Sequence, residues 1–230
     1  MTSPRILVVL TSHDRLGDTG EKTGFWLEEF AAPYYVFRDA GAEVTLASVA
    51  GGQPPIDPKS ALAEWQTDDT RRFEADADAV AALAATAKID TVDAGSFDAI
   101  FFPGGHGPMW DYPGHAALAR LIEAFDAQNK PVGAVCHGPV ALVDARKPDG
   151  TPLVAGKRVS AFTNGEEEAV GLTDVVPFLL EDRLRDLGAI IENGADFAVN
   201  VVTDGHLVTG QNPQSSAEGA RAVLGVLNAD

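Results

Sequence analysis

Pro131-Val132-Gly133-Ala134-Val135-Cys136-His137-Gly138-Pro139 decides the reading of this chain. An apolar run short enough for a buried strand meets a cysteine, and a Gly-Pro pair then opens the next helix. Strand, nucleophile-type residue, sharp turn and helix in that order predict an elbow that pushes the Cys136 side chain outward. The following helix would aim its N-terminal N–H groups and positive dipole end at the sulfur. Such surroundings lower a thiol from its free pKa of about 8.5, so Cys136 is expected to be a reactive thiolate. The competing reading is a small core hydrophobe at a strand end.

A second strand exit bears on that choice. In Phe101-Phe102-Pro103-Gly104-Gly105-His106-Gly107-Pro108 the glycines let backbone N–H groups converge on a ligand. Two such loops at the carboxyl ends of parallel strands would lie side by side, where α/β sheets bind ligands. The N–H groups of Gly105 and His137 could then form an oxyanion hole for an adduct on the Cys136 sulfur. His106 belongs at the pocket rim, where it either orients a substrate carbonyl or completes a turn.

Outward from these loops the pattern is alternating. Ile6 to Leu10 is a continuous apolar run, as in a strand covered on both faces. Further strands are expected at Glu43 to Ala47, Phe97 to Phe102, Pro131 to Val135, Arg158 to Phe162, and Ala198 to Val202 with Leu207 to Thr209, the last two as a hairpin about Asp204-Gly205. Helical spacing marks Phe25 to Ala40, Ala77 to Ala85, His115 to Ala127, Val175 to Leu187 and Ser215 to Leu227. The alternation predicts an α/β fold with a doubly wound, mostly parallel sheet and helices on both faces. Residues 51 to 74 are too long and polar for an ordinary connection and are a candidate lid or dimer element.

With 230 residues and 45% hydrophobic content, one core suffices, so residues 1–230 are expected to form one domain. A net charge of −17 opposes binding to phosphate backbones, which excludes nucleic acid as the expected partner. No stretch has the apolar length to span a bilayer, and no secretory signal follows Met1, so the expectation is a cytoplasmic protein without a membrane partner. A single cysteine rules out an internal disulfide framework and cannot make a zinc site alone. No dinucleotide fingerprint follows the first strand, and no cluster with metal-ligand spacing surrounds His115 or His206, so no cofactor and no metal are expected. His115 and His206 read as surface or turn residues, and Trp26, Trp65 and Trp110 as packing residues, with Trp110 a possible pocket wall.

The motifs taken together carry a resemblance. Ala134-Val135-Cys136-His137-Gly138-Pro139, Pro103-Gly104-Gly105-His106-Gly107, Lys22-Thr23-Gly24, Asp111-Tyr112-Pro113, Gly156-Lys157 before Phe162-Thr163, and Val208-Thr209-Gly210-Gln211-Asn212-Pro213 resemble the ThiJ/PfpI superfamily, in its glyoxalase III and heat-shock chaperone branch. The likeness spans nearly the whole chain. It implies a flavodoxin-like sheet, a homodimer, a nucleophile at Cys136 assisted by His137, a glutamate of the first helix beside the thiol, and an acidic partner for the histidine. By position these are Glu29 and Glu167, with Glu166 and Glu168 flanking the latter. Helical spacing agrees for Glu29: steps of three and four reach Phe25, Trp26, Ala32, Pro33, Val36 and Phe37, an apolar stripe on which a carboxyl should be hard to ionise. Glu28 lies about 100° away around the helix.

The resemblance implies cofactor-independent conversion of a 2-oxoaldehyde, such as methylglyoxal or glyoxal, to a 2-hydroxy acid. A glutamine amidotransferase would share the elbow but calls for a late His-x-Glu element absent here. A protein deglycase or PfpI-type peptidase could use the same Cys and His, and a holding chaperone would work through exposed apolar surface without Cys136.

Overall fold

The computed structural model describes residues 3–229. In chain order its first half contains β1 (Arg5–Leu10), α1 (Leu27–Asp39), β2 (Glu43–Ser48), α2 (Asp68–Ala75), α3 (Ala77–Ala84), β3 (Ala87–Lys88), β4 (Ala99–Phe102), α4 (Pro108–Asp111), α5 (Ala116–Ala127) and β5 (Val132–Val135). The second half contains β6 (Arg158–Val159), α6 (Asn164–Ala169), α7 (Leu180–Asp186), β7 (Ile190–Ile191), β8 (Val201–Asp204), β9 (Leu207–Gly210) and α8 (Ser216–Leu227).

The apolar run of β1 is continuous because both of its faces are covered. Ile6, Val8 and Leu10 enter one hydrophobic cluster and Leu7 and Val9 the other, the period of two that a strand imposes. Ala99 and Phe101 of β4 join the first cluster, and Ile100 and Phe102 the second. Seven strands form one sheet in the order β3-β2-β1-β4-β5-β9-β8, parallel except for the edge strand β8. Residues of α1, α2, α3 and α8 fill one cluster, and residues of α5 and α7 the other. This is the doubly wound α/β fold the alternation predicts, with the flavodoxin-like sheet the resemblance implies. The chain steps outward from β1 to β2 and β3, then returns to β4 on the other side of β1. That reversal opens a crevice at the carboxyl ends of the central strands.

Four expectations are corrected. Arg158 to Phe162 is not a strand of the main sheet: β6 covers only Arg158–Val159 and pairs with β7 in a separate two-stranded sheet. Beyond β6, Ser160 N–H donates to Thr209 Oγ1 (2.9 Å) and Phe162 N–H to the Cys136 carbonyl (3.0 Å), single bonds in place of a ladder. The helix expected over Val175 to Leu187 forms only at Leu180–Asp186. The first strand of the hairpin starts three residues later than expected, at Val201–Asp204, while its partner Leu207–Gly210 and the turn through Gly205 at φ 63° lie where expected. The element after Cys136 is a five-residue 3-10 turn, Gly138–Leu142, rather than an α-helix.

Residues 51 to 74 are structured. Two 3-10 turns, Pro58–Ala61 and Ala63–Trp65, lead to Thr67, which caps α2. The segment braces the start of α1: Phe25 N–H donates to the Pro55 carbonyl (3.0 Å) and Leu27 N–H to Ser60 Oγ (3.0 Å). No helix among the described residues is long and apolar enough to cross a membrane.

Gly133, in the middle of β5, is a glycine because its neighbours leave no room. A Cβ there would meet Phe101 Cδ2 and Val223 Cγ2 at 2.6 Å each. Gly133→Ala is therefore expected to destabilise the protein by roughly 1–3 kcal/mol through overpacking. Urea melts of the two proteins check this, and an unchanged midpoint would mean that α8 moves aside freely.

Candidate active site

Three backbones meet at the crevice: the glycine loop after β4, the elbow after β5 and the start of α1. They approach so closely that a Cβ on Gly104 would lie 2.6 Å from His137 N and 2.7 Å from Glu29 Oε2. Gly104 instead donates its N–H to Glu29 Oε2 (2.8 Å), and its carbonyl accepts from Trp26 N–H (3.2 Å). Glu29 is fully buried, as its helical position predicts. Its second oxygen, Oε1, makes no hydrogen bond of regular geometry, although the carboxyl lies against the Cys136 thiol. Burial pushes the Glu29 pKa up to about 8, against the opposing effects of Cys136 and the Gly104 N–H. Glu28 is half-buried on Thr67 Oγ1, and burial raises it to about 7.

Cys136 occupies the elbow with φ 59°, a left-handed conformation uncommon for a residue with a side chain. Its N–H donates to the Gly210 carbonyl (2.9 Å) and its carbonyl accepts from Phe162, so both neighbours hold the turn. The expectation of a depressed thiol pKa is overturned. Burial and the neighbouring Glu29 carboxyl push it well up, and the Gly105 N–H only partly opposes them. The 3-10 turn that follows is too short for a strong dipole, and Pro139 removes one of its N–H groups.

His137 is fully buried, with Nδ1 3.3 Å from Cys136 Sγ and Nε2 2.7 Å from Glu167 Oε2. Burial and nearby His106 lower its pKa, so the ring is neutral. Burial alone would raise Glu167, but the two histidines overcome it and hold the carboxyl well below its usual range. An ionised carboxylate only accepts, so His137 donates through Nε2 and presents the Nδ1 lone pair to the thiol. His106 Nε2 lies 2.8 Å from the other oxygen, Glu167 Oε1, and the two imidazole centroids are 4.1 Å apart. By the same logic His106 donates through Nε2 and keeps Nδ1 as an acceptor. This second histidine on Glu167 is missed by sequence reasoning; its only signal is a histidine inside the glycine loop.

Glu166 points elsewhere. It is fully buried and accepts from Thr163 N–H, Phe197 N–H, Gln211 and Asn212, joining the cap of α6 to the loops before β8 and after β9. Glu166 is therefore a structural acid, while Glu168, the other flanking acid, is exposed. His115 caps α5 through Leu118 N–H, and His206 joins Asp126 at 2.7 Å. Trp110 is not a wall of this pocket: it stacks on His13 beside a separate open groove, with 5.2 Å between centroids.

The thiol faces a cavity of about 100 Å³ whose walls include Trp26, Trp65, His106 and Phe162 as well as Glu29 and His137. Gly105 N–H is directed at the sulfur. The His137 N–H has no protein acceptor among the described residues, so both oxyanion donors expected from sequence border the cavity. His106, His137 and Glu167 could offer three metal-ligand atoms within 4.8 Å of one another, although the bonds among them already use them.

The profile of the DJ-1/PfpI family matches residues 22–225. The chain is 34% identical to the glutathione-independent glyoxalase hsp3101 of Schizosaccharomyces pombe, over 96% of this chain and 94% of that one. It is 31% identical to Glyoxalase 3 of Candida albicans, over 96% and 97%. The crystal structure of glyoxalase III from Candida albicans superposes with a TM-score of 0.92 at 29% identity, covering 99% of this chain and 98% of that one.

Glu29 gives a pH signature. Its folded pKa of about 8 lies above the ordinary 4.5, so stability from this group is complete below about pH 4.5 and is lost as pH rises through about 8. The stability of wild type relative to Glu29→Gln should therefore fall by roughly 3 kcal/mol between pH 5 and 8. Urea melts at both pH values check it, and a constant difference would mean that Glu29 ionises normally. Glu166→Gln should cost about 1–3 kcal/mol at either pH, since an amide N–H₂ would face donors.

Proposed function

This chain belongs to the DJ-1/PfpI family, and on that premise we propose that it is a glutathione-independent glyoxalase whose nucleophile is Cys136. It takes a small 2-oxoaldehyde, with methylglyoxal the simplest test case, to the 2-hydroxy acid. The observation that carries the residue assignment is the chain of contacts from Cys136 Sγ through His137 to Glu167, with the buried Glu29 carboxyl on the same sulfur.

The thiol rests protonated, so activation accompanies attack. As sulfur adds to the aldehyde carbon, its proton passes to His137 Nδ1, and Glu167 stabilises the imidazolium that forms. The aldehyde oxygen becomes an oxyanion facing the N–H groups of Gly105 and His137, then takes the proton back from His137 to give a hemithioacetal. Glu29, in the fraction ionised near neutral pH, removes the hydrogen from that carbon as a proton, leaving an enediolate. A pKa of about 8 suits that exchange near neutral pH. Glu29 returns that proton to the neighbouring carbon, and the hydroxyl proton of the first carbon passes to the second oxygen, which makes the neighbour an alcohol carbon and the first a thioester carbonyl. Water then cleaves the thioester, releasing the 2-hydroxy acid and restoring the thiol. One carbon is oxidised and its neighbour reduced, so the balance needs only water. His106 lines the same cavity, and an Nδ1 that accepts can receive the hydroxyl that forms on the second carbon.

The test is lactate formation from methylglyoxal by purified protein without glutathione. Cys136→Ser should lose several orders of magnitude, and residual activity within about tenfold of wild type would remove the thiol as nucleophile. Glu167→Gln, which acts through the histidines, should lose about 10–100-fold. Glu29→Gln should collapse turnover without a matching loss of fold at neutral pH.

A further inference from the structure

We propose that the cavity mouth is a seat for an aromatic ring, so that the preferred substrates are aryl 2-oxoaldehydes, of which phenylglyoxal is the simplest. The proposal rests on the glyoxalase reading and concerns only the group attached to the oxoaldehyde. Seven large apolar side chains are exposed among the described residues, and Trp65, Val170 and Phe197 of these line the one cavity that holds Cys136. Scattered apolar exposure is ordinary, but its concentration around a nucleophile marks a binding surface.

The aromatic walls come from four separate segments. Trp26 precedes α1 and meets Trp65, from the 3-10 turn before α2, edge to face at 5.4 Å. Phe162 follows β6 and meets Phe197, before β8, edge to face at 6.3 Å. Trp65 and Phe197 remain 46% and 39% exposed, so each pair presents ring surface that the fold itself does not cover. Phe197 also has φ 57°, a conformation disfavoured for a bulky side chain. Its N–H is pinned to Glu166 Oε1 at 2.7 Å, and Glu166 is fully buried. A strained residue fastened by a buried carboxyl and left with its ring in the open is held there against its own preference.

The chemistry of the occupant follows. The cavity walls carry no lysine or arginine, and the protein bears a net charge of −17, so a carboxylated or phosphorylated side chain is disfavoured. A methyl group would leave the rim aromatics wet, whereas a phenyl ring can meet them edge to face and remove their surface from water. The inner 100 Å³ then receives the two carbonyl carbons and the ring stays at the mouth.

The experiment compares kcat/KM for phenylglyoxal, followed as mandelate, with that for methylglyoxal, followed as lactate. Wild type, Trp65→Ala and Phe197→Gly are measured, with Cys136→Ser protein as the blank. Wild type should favour phenylglyoxal by at least about tenfold. In each variant the phenylglyoxal-to-methylglyoxal ratio should fall about tenfold, chiefly through KM for phenylglyoxal. A wild-type ratio near one, or a ratio that neither variant changes, overturns the proposal and leaves the glyoxalase reading standing. Turnover of neither substrate by wild type overturns both. Trp65 is a surface residue on a short turn, so its variant tests the ratio even if Phe197→Gly fails to fold.

Discussion

A carboxyl sealed from water against a thiol is the constraint on which this site depends. Glu29 and Cys136 cannot both be ionised in that space, so the pair retains a proton at neutral pH. Much of the local sequence serves that arrangement. Gly104 brings a backbone N–H to one carboxyl oxygen while leaving the other toward the sulfur. Pro33, inside α1, lacks the N–H that would otherwise bond the Glu29 carbonyl one turn earlier. In the proposed mechanism the sulfur therefore reacts as a thiol handed to a base, and His137 has to be neutral to receive its proton. Burial and the adjacent His106 supply that condition.

Adjacent glutamates divide two tasks that one carboxyl could not combine. Glu167 turns both oxygens to imidazoles and fixes their tautomers, while Glu166 turns to the loops that form the far wall. Neighbouring positions on a helix differ by about 100°, so a short α6 can send consecutive side chains into different surroundings. The reaction geometry and the mouth geometry are thus joined through one turn of helix. Phe197 is as well placed as it is because Glu166 belongs to the same cap that delivers Glu167.

The central sheet was legible because β1, β4 and β5 are apolar without interruption, which only double coverage explains. The elbow and the burial of Glu29 were legible for similar reasons, one from a strand ending in Cys-His-Gly-Pro and the other from helical spacing. The direction of the Cys136 shift was not. It depends on a contact between residues far apart in the chain and on the length of the turn after the elbow, neither of which a motif reports. The segment after Arg158 misled because β-branched and aromatic residues suit a strand, yet its N–H groups find Thr209 and Cys136 singly. Trp26 and Trp65 read as packing residues because exposure is a tertiary property. The bond from His106 to Glu167 crosses 61 positions and leaves no local periodicity to detect.

The left-handed backbone at Cys136 also limits the evolutionary future of this elbow. A positive φ crowds Cβ against the neighbouring carbonyl, and branching at Cβ makes that crowding worse. Threonine, which serves as a nucleophile on other scaffolds, is therefore poorly suited to this position, while serine fits the backbone but is a far weaker match for a base that must take its proton. Mutational paths that exchange the nucleophile and keep the fold are few, and most would have to rebuild the turn first. A lineage built on this elbow can diversify its walls, rim and partners far more easily than the atom proposed to do the chemistry.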